Sequence, residues 1–193
     1  VSGDPYVYPG TGVLRNRFGI RDVDELERVE AELVVARTVE LRSRVEQPPF
    51  DLARLQAIHQ HLFGDVYAWA GELRTVRIAK QRIPFANPQF IEQNAGVVFG
   101  ELAGEDHLVG IVEYAAFVER FAYHLGEVNA LHPFREGNGR TQRQLFRELA
   151  AHAGWAVDFT GMGRDENIEA SIAATLGDQE PLRRMLVPLV HRL

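Results

Sequence analysis

The stretch from Gly110 to about Asn129 constrains this chain most. Ile111, Phe117, Val118, Phe121, Leu125 and Val128 recur at helical spacing, and the segment is apolar over much of its girth. A helix apolar on several sides has to be surrounded by others, so it reads as the centre of a bundle. Suitable neighbours lie on both sides of it. Asp22 can cap a helix running to about Val45, with Val23, Leu26, Val29 and Leu33 at helical spacing and Pro48-Pro49 to stop it. Glu27, Arg28, Glu30, Glu32 and Arg37 read as its solvated face. Asp51 caps a second helix with Leu52, Leu55, Ile58 and Leu62 as its apolar stripe. Asn87-Pro88 opens a third, carrying Phe90, Ile91, Val98, Phe99 and Leu102. After the central helix, another begins near Asn138 or Gly139, packs through Leu145, Phe146 and Leu149, and ends at Gly154. Two more follow, at about 165–176 and at 181–191 with a kink at Pro188.

The period changes only between Arg74 and Phe85. There Val76 and Ile78 alternate with Arg77, a polar tip of Lys80, Gln81 and Arg82 follows, and Ile83 and Phe85 return. This is the one strand pair the sequence suggests. The expected architecture is all-α: a helical bundle with a central helix–loop–helix and one short β-hairpin, formed by residues 1–193 as a single domain.

Charge and composition narrow the function. A formal net charge of −6 with no long basic run argues against direct nucleic-acid binding. With no cysteine there is no disulfide and no thiolate zinc site, which points towards a reducing, cytoplasmic setting. No apolar run approaches the ~20 residues that cross a bilayer. Residues 1–12 lack the layout of a signal peptide, and a start at Val1 suggests that the initiator methionine is missing from the sequence. His59 and His61, two apart on one helix, face different sides, and the remaining histidines form no metal-binding pattern, so these read as surface or internally satisfied residues. Trp69 reads as a core or hairpin anchor.

Residues 132–143, His-Pro-Phe-Arg-Glu-Gly-Asn-Gly-Arg-Thr-Gln-Arg, carry the chemistry. Gly137, Asn138 and Gly139 fall at a helix N-terminus, where unpaired amides and the helix dipole favour an anion and glycine allows close approach. Arg140 and Arg143, three apart, can face one side and grip phosphate oxygens with planar two-pronged geometry. Glu136 beside bound phosphates calls for a cation between them, and Mg²⁺ suits one carboxylate plus phosphate oxygens and water. His132, with an ordinary pKa of ~6.5, can take a proton from an attacking hydroxyl. Phe134 anchors the loop in the core.

This segment resembles the signature of the Fic (filamentation-induced-by-cAMP) family: His, any residue, Phe, any residue, Asp or Glu, Gly-Asn-Gly-Arg, two residues, Arg. Every fixed position is present. The run Trp69-Ala70-Gly71-Glu72-Leu73-Arg74 with the hairpin after it is similar to the family's flap. Tyr8-Pro9, Val13-Leu14 and Phe18-Gly19-Ile20 resemble the N-terminal segment of bacterial Fic toxins. The resemblance implies a protein adenylyltransferase that moves AMP from ATP to a hydroxyl side chain and releases pyrophosphate. His132 would be the general base and Glu136 the Mg²⁺ ligand. Gly137, Asn138 and Gly139 would form the anion nest, and Arg140 and Arg143 would bind the β- and γ-phosphates. Phe134 counts among the nucleotide-binding motif positions, and the flap at 74–85 would clamp the target's backbone.

Many members of this family carry an inhibitory helix with Ser or Thr, three residues, then Glu, whose carboxylate pairs with the second motif arginine. No Ser or Thr in these 193 residues has Glu four positions later. The resemblance therefore implies a toxin silenced by a separate small antitoxin that supplies the glutamate. Related toxins modify the ATPase subunits of DNA gyrase and topoisomerase IV, the first targets to test. Other chemistries remain open: Doc-like phosphoryl transfer, where lysine replaces the glycine at Gly139; transfer of UMP or phosphocholine; or a catalytically silent interaction module, against which His132, Glu136 and Arg143 count.

Overall fold

The computed structural model describes residues 3–42, 47–81 and 83–193. Seven α-helices occur among them: α1 (Val23–Arg42), α2 (Leu52–Phe63), α3 (Ile91–Gly104), α4 (Tyr114–Leu131), α5 (Asn138–His152), α6 (Arg164–Thr175) and α7 (Glu180–Leu186). The expected all-α bundle is what forms. α4 is its axis, in contact with α3, α5, α6 and α7, while α2 packs on both α1 and α5. Phe117, Val118, Phe121 and Val128 of α4 are fully shielded from solvent. Gly126 lets α4 approach its neighbours closely: a Cβ there would lie 2.9 Å from Gln179 Oε1 and 3.3 Å from the Ala174 side chain.

Capping follows the sequence in two helices. The Asp22 side chain accepts from Glu25 N (2.9 Å) and that of Asp51 from Arg54 N (2.8 Å). The end of α1 expected at Val45 lies outside the described residues, as does Arg82 in the hairpin tip. Elsewhere the boundaries differ for local reasons. α4 begins at Tyr114 because Glu113 caps it, accepting from Ala115 N and Ala116 N, and Gly110 (φ 84°) belongs to the preceding turn. Pro88–Phe90 is a 3-10 turn, which leaves Phe90 45% exposed instead of in the core. Val23 is exposed too, whereas Glu30, read as solvated, is buried.

The C-terminal stretch is the largest correction. Pro188 cannot continue the helix; the chain passes through a 3-10 turn at Val187–Leu189 into a strand. The hairpin strands are β1 (Ala79–Lys80) and β2 (Ile83–Pro84), and β3 (Trp155–Val157) and β4 (Val190–Arg192) form a second antiparallel pair. That pair, with Trp155 opposite Arg192 and Val157 opposite Val190, overturns the expectation of a single strand pair. Two three-residue strands far apart in sequence leave no local hairpin signal.

One side chain, that of Arg74, makes most of the hydrogen bonds that hold the hairpin to the bundle. Arg74, only 2% exposed, donates through Nε to His132 O (2.7 Å), through Nη1 to Val76 O (2.7 Å), and through Nη2 to Ala86 O (2.5 Å) and Leu131 O (3.3 Å). Its own amide donates to Pro133 O (2.8 Å), and Ala86 N donates to Ala130 O (3.1 Å). Both ends of the hairpin are thus fastened to the C-terminus of α4, where carbonyls lack intrahelical partners. An unpartnered buried carbonyl costs roughly 1–3 kcal/mol. Arg74→Met should therefore destabilise the fold by about 3 kcal/mol or more in urea denaturation and open the hairpin to proteolysis; a loss under about 0.5 kcal/mol would show that the clasp is dispensable.

Candidate active site

α4 ends abruptly. His132 adopts left-handed backbone geometry (φ 42°, ψ 60°), which reverses the chain while its carbonyl is held by Arg74. Its imidazole stacks on Phe85 of the hairpin, with ring centroids 3.7 Å apart and planes 14° from parallel. Nδ1 lies 3.3 Å from Asn129 O. A carbonyl can only accept, so this contact places the proton on Nδ1 and leaves the Nε2 lone pair available. Burial is the main cause that pushes the His132 pKa down, to about 3, with Lys80 and Arg74 acting in the same direction. The ring is neutral at physiological pH.

The loop then folds on itself. Asn138 Oδ1 accepts from Phe134 N (2.9 Å) and Asn138 Nδ2 donates to Phe134 O (2.8 Å), so this buried amide closes the turn. Phe134 is fully buried and stacks on His59 at 3.9 Å. Gly137 (φ 80°) lies against Phe63, and a Cβ there would come within 2.5 Å of that ring. The helical ladder of α5 starts with Thr141 N donating to Gly137 O (3.1 Å). The amides of Asn138, Gly139 and Arg140 therefore precede the first intrahelical bond.

His132, Glu136, Gly137, Asn138, Gly139, Arg140 and Arg143 all line one cavity of about 980 Å³. Ile78, Ala79, Lys80, Ile83 and Phe85 form one wall; Asn167, Ile168, Ser171, Ile172 and Thr175 of α6 form another. Both arginines open onto the same space. One expectation changes, that Phe134 belongs with the nucleotide-binding positions. Phe134 does not line the cavity and acts only through the loop it anchors. The side chain of Asn138 is spent on that loop, so its backbone is what can meet an anion.

The arginines differ in electrostatic state. Arg140 Nη1 lies 2.6 Å from Glu30 Oε1, its Nη2 lies 3.6 Å from Glu136 Oε1, and its guanidinium sits over the Phe63 ring at 4.7 Å. Arg143 makes no ion pair among the described residues. Burial and then the neighbouring charges of Arg140 and Arg147 pull its pKa below the ordinary value. A desolvated guanidinium without a carboxylate favours an incoming anion. Glu136, its side chain 48% exposed, accepts from Gly137 N and faces the cavity. No cluster of three acidic or histidine residues suited to a metal occurs among the described residues. A single accessible carboxylate does fit Mg²⁺ carried mainly by phosphate oxygens and water.

Three residues outside the motif support the site, and of these only Trp69 is marked as an anchor by the sequence. His59 accepts from Gly71 N through Nδ1 (2.7 Å), and its Nε2 lies 3.0 Å from Glu136 O, so the ring is a neutral bridge donating to the backbone of the carboxylate residue. Trp69 is buried against Tyr6 and Tyr67, as a core anchor. Asp4 pairs with Arg135 (2.9 Å), tying the N-terminal segment to the loop.

These features define a class: a helix–loop–helix anion cradle with a neutral imidazole at its mouth. The chain belongs to the Fic/DOC family, whose match spans residues 49–150. It is 43% identical to protein adenylyltransferase VbhT of Bartonella schoenbuchensis over 96% of this chain, and spans 38% of the length of that relative. It is 40% identical to probable protein adenylyltransferase y4lH of Sinorhizobium fredii, covering 95% of this chain and 96% of that one. It is 38% identical to probable protein adenylyltransferase Fic of Escherichia coli, covering 97% and 92%. Among solved structures, BepC of Bartonella tribocorum with bound AMPPNP superposes with a TM-score of 0.89 at 28% identity, covering 97% of both chains.

Burial lowers the pKa of His59 from 6.5 to about 4, so the folded state excludes a proton that the unfolded chain binds. Stability from this group is complete above pH 6.5 and is lost as pH falls towards 4, by an amount of order 3 kcal/mol. Denaturation at pH 7.5 and 4.5 should show a smaller pH penalty in His59→Gln than in the parent chain. Equal penalties would mean that this ring does not carry the effect.

Proposed function

We propose that this chain is a protein adenylyltransferase that moves AMP from ATP to a hydroxyl side chain of a target protein. One observation carries the reading: a neutral His132, the first amides of α5 and an uncompensated Arg143 converge on one cavity large enough for a nucleotide. The names of VbhT, y4lH and Fic and the AMPPNP in BepC support it. In the proposed reaction the hydroxyl oxygen bonds to the α-phosphorus, and its proton passes to His132 Nε2. The bond from the α-phosphorus to the bridging oxygen breaks, and the electron pair leaves with pyrophosphate. Arg140, Arg143 and the amides of Asn138 and Gly139, in the nest whose turn Gly137 shapes, hold the β- and γ-phosphates in line. Glu136 would hold Mg²⁺, which supplies charge neutralisation between carboxylate and phosphates. Doc-like phosphoryl transfer fits less well, since Gly139 stands where that type has lysine and no ammonium is supplied at this point of the nest.

The proposal extends to partners. Exposed residues of the hairpin, Ala79 and Lys80, can pair with an extended target segment through backbone hydrogen bonds. The ATPase subunits of DNA gyrase and topoisomerase IV are the first candidate targets. A small antitoxin would complete Arg143 with a glutamate from a Ser/Thr-x-x-x-Glu helix and so exclude the γ-phosphate. Residues 1–193 would act as one unit in the cytoplasm; no helix among the described residues is long and apolar enough to cross a membrane.

Incubation with lysate and α- or γ-³²P-ATP separates the readings. Label should transfer from the α position only, vanish in His132→Ala, and depend on Mg²⁺ and Glu136. Arg143→Ala should raise the KM for ATP more than it lowers Tm. Transfer of γ label would indicate kinase chemistry, and no label from either position would indicate a binding module.

A further inference from the structure

We infer that Glu30, on α1 and outside the loop motif, is a positioning residue that fixes how Arg140 is presented to phosphate. The inference rests on the triphosphate reading of the cavity. Glu30 lies more than a hundred residues from the motif and has no place in any helical cap. Yet its side chain is only 11% exposed, and each carboxylate oxygen has a separate partner: Oε1 lies 2.6 Å from Arg140 Nη1, and Oε2 accepts from the Tyr67 hydroxyl. Tyr67 is itself buried, and burial together with the Glu30 charge raises its pKa, so it stays a donor at any physiological pH. The carboxylate is thereby locked from behind.

Arg140 is then held on three sides. Glu30 takes Nη1, Phe63 lies under the guanidinium plane at 4.7 Å, and Glu136 stands 3.6 Å from Nη2. The supports are unequal. The Glu136 side chain is 48% exposed, so water screens its pull, whereas the contact with Glu30 is shielded. Glu30 engages one prong of the fork and leaves the other beside the cavity carboxylate. A long arginine ordinarily loses rotamer freedom when it grips an anion; here most of that freedom is gone before nucleotide arrives. The same pair leaves Arg143 as the guanidinium without a carboxylate, so the two arginines divide orientation and attraction between them.

The test uses the full chain with Glu30→Gln, Arg140→Ala and the double variant, and reads three quantities: Kd for a fluorescent ATP analogue, KM and kcat for transfer, and Tm. In Glu30→Gln, Kd and KM should rise by about 3- to 10-fold with kcat within about twofold, because a uniformly used binding group is loosened. In the Arg140→Ala background the same substitution should change neither. Tyr67→Phe, which keeps the charge but frees the carboxylate, should shift KM in the same direction by less, and serves if Glu30→Gln does not fold. Unchanged KM, an equal shift in both backgrounds, or a fall in KM (the mark of a carboxylate competing with phosphate) would each overturn the inference. A parent chain that binds no ATP analogue would instead overturn the triphosphate reading on which it rests.

Discussion

The loop between α4 and α5 has to treat backbone polar groups in two opposite ways within six residues. The carbonyls ending α4 must be satisfied in a buried place; the amides opening α5 must be left available. Arg74 solves the first by donating to Leu131 and His132 while reaching Val76 and Ala86 of the hairpin. Asn138 and Gly137 solve the second. The Asn138 amide closes the turn through Phe134, and the positive φ of Gly137, seated against Phe63, sets the start of the helix. The cavity, the orientation of His132 and the placement of both arginines all follow from that division.

The bundle is legible in the sequence where periodicity and caps agree. α1, α2 and α5 begin at or next to the expected residues because Asp22, Asp51 and the Gly137-Asn138-Gly139 run are local signals. The pairing of β3 with β4 escaped because its strands are three residues long and meet only through the tertiary fold. Phe90 departs from the expected apolar face because a 3-10 turn at Pro88 rotates it outwards. Within the site the motif residues were legible since they are contiguous and chemically distinctive. Phe134 lies at the motif's centre and yet touches only the core, so membership of a contiguous motif does not establish contact with a ligand.

The supporting residues were illegible for a different reason. Arg74, His59, Glu30 and Tyr67 act across the fold; the flap run ends at Arg74 without marking its clasp, and nothing in the neighbourhoods of the other three distinguishes them. Glu30 sits among charged residues of α1 that look uniformly solvated; only the approach of Tyr67 and Arg140 buries it. His59 sits beside the apolar stripe of α2, where a satisfied core histidine is the ordinary expectation. The structure agrees with that and adds that the satisfaction comes from Gly71 and from the backbone of Glu136, so a core residue braces the acidic side of the cavity. Burial also keeps both His59 and His132 uncharged, so that one ring can bridge backbone groups and the other keeps an open lone pair on Nε2.

The clasp made by Arg74 has a further consequence. All four of its side-chain acceptors are main-chain carbonyls, so it is indifferent to the identity of the residues that bear them. The hairpin can exchange nearly every side chain along its exposed rim and stay fastened at the same distance from His132. Recognition can therefore drift through substitution of the rim while the reacting geometry is inherited intact.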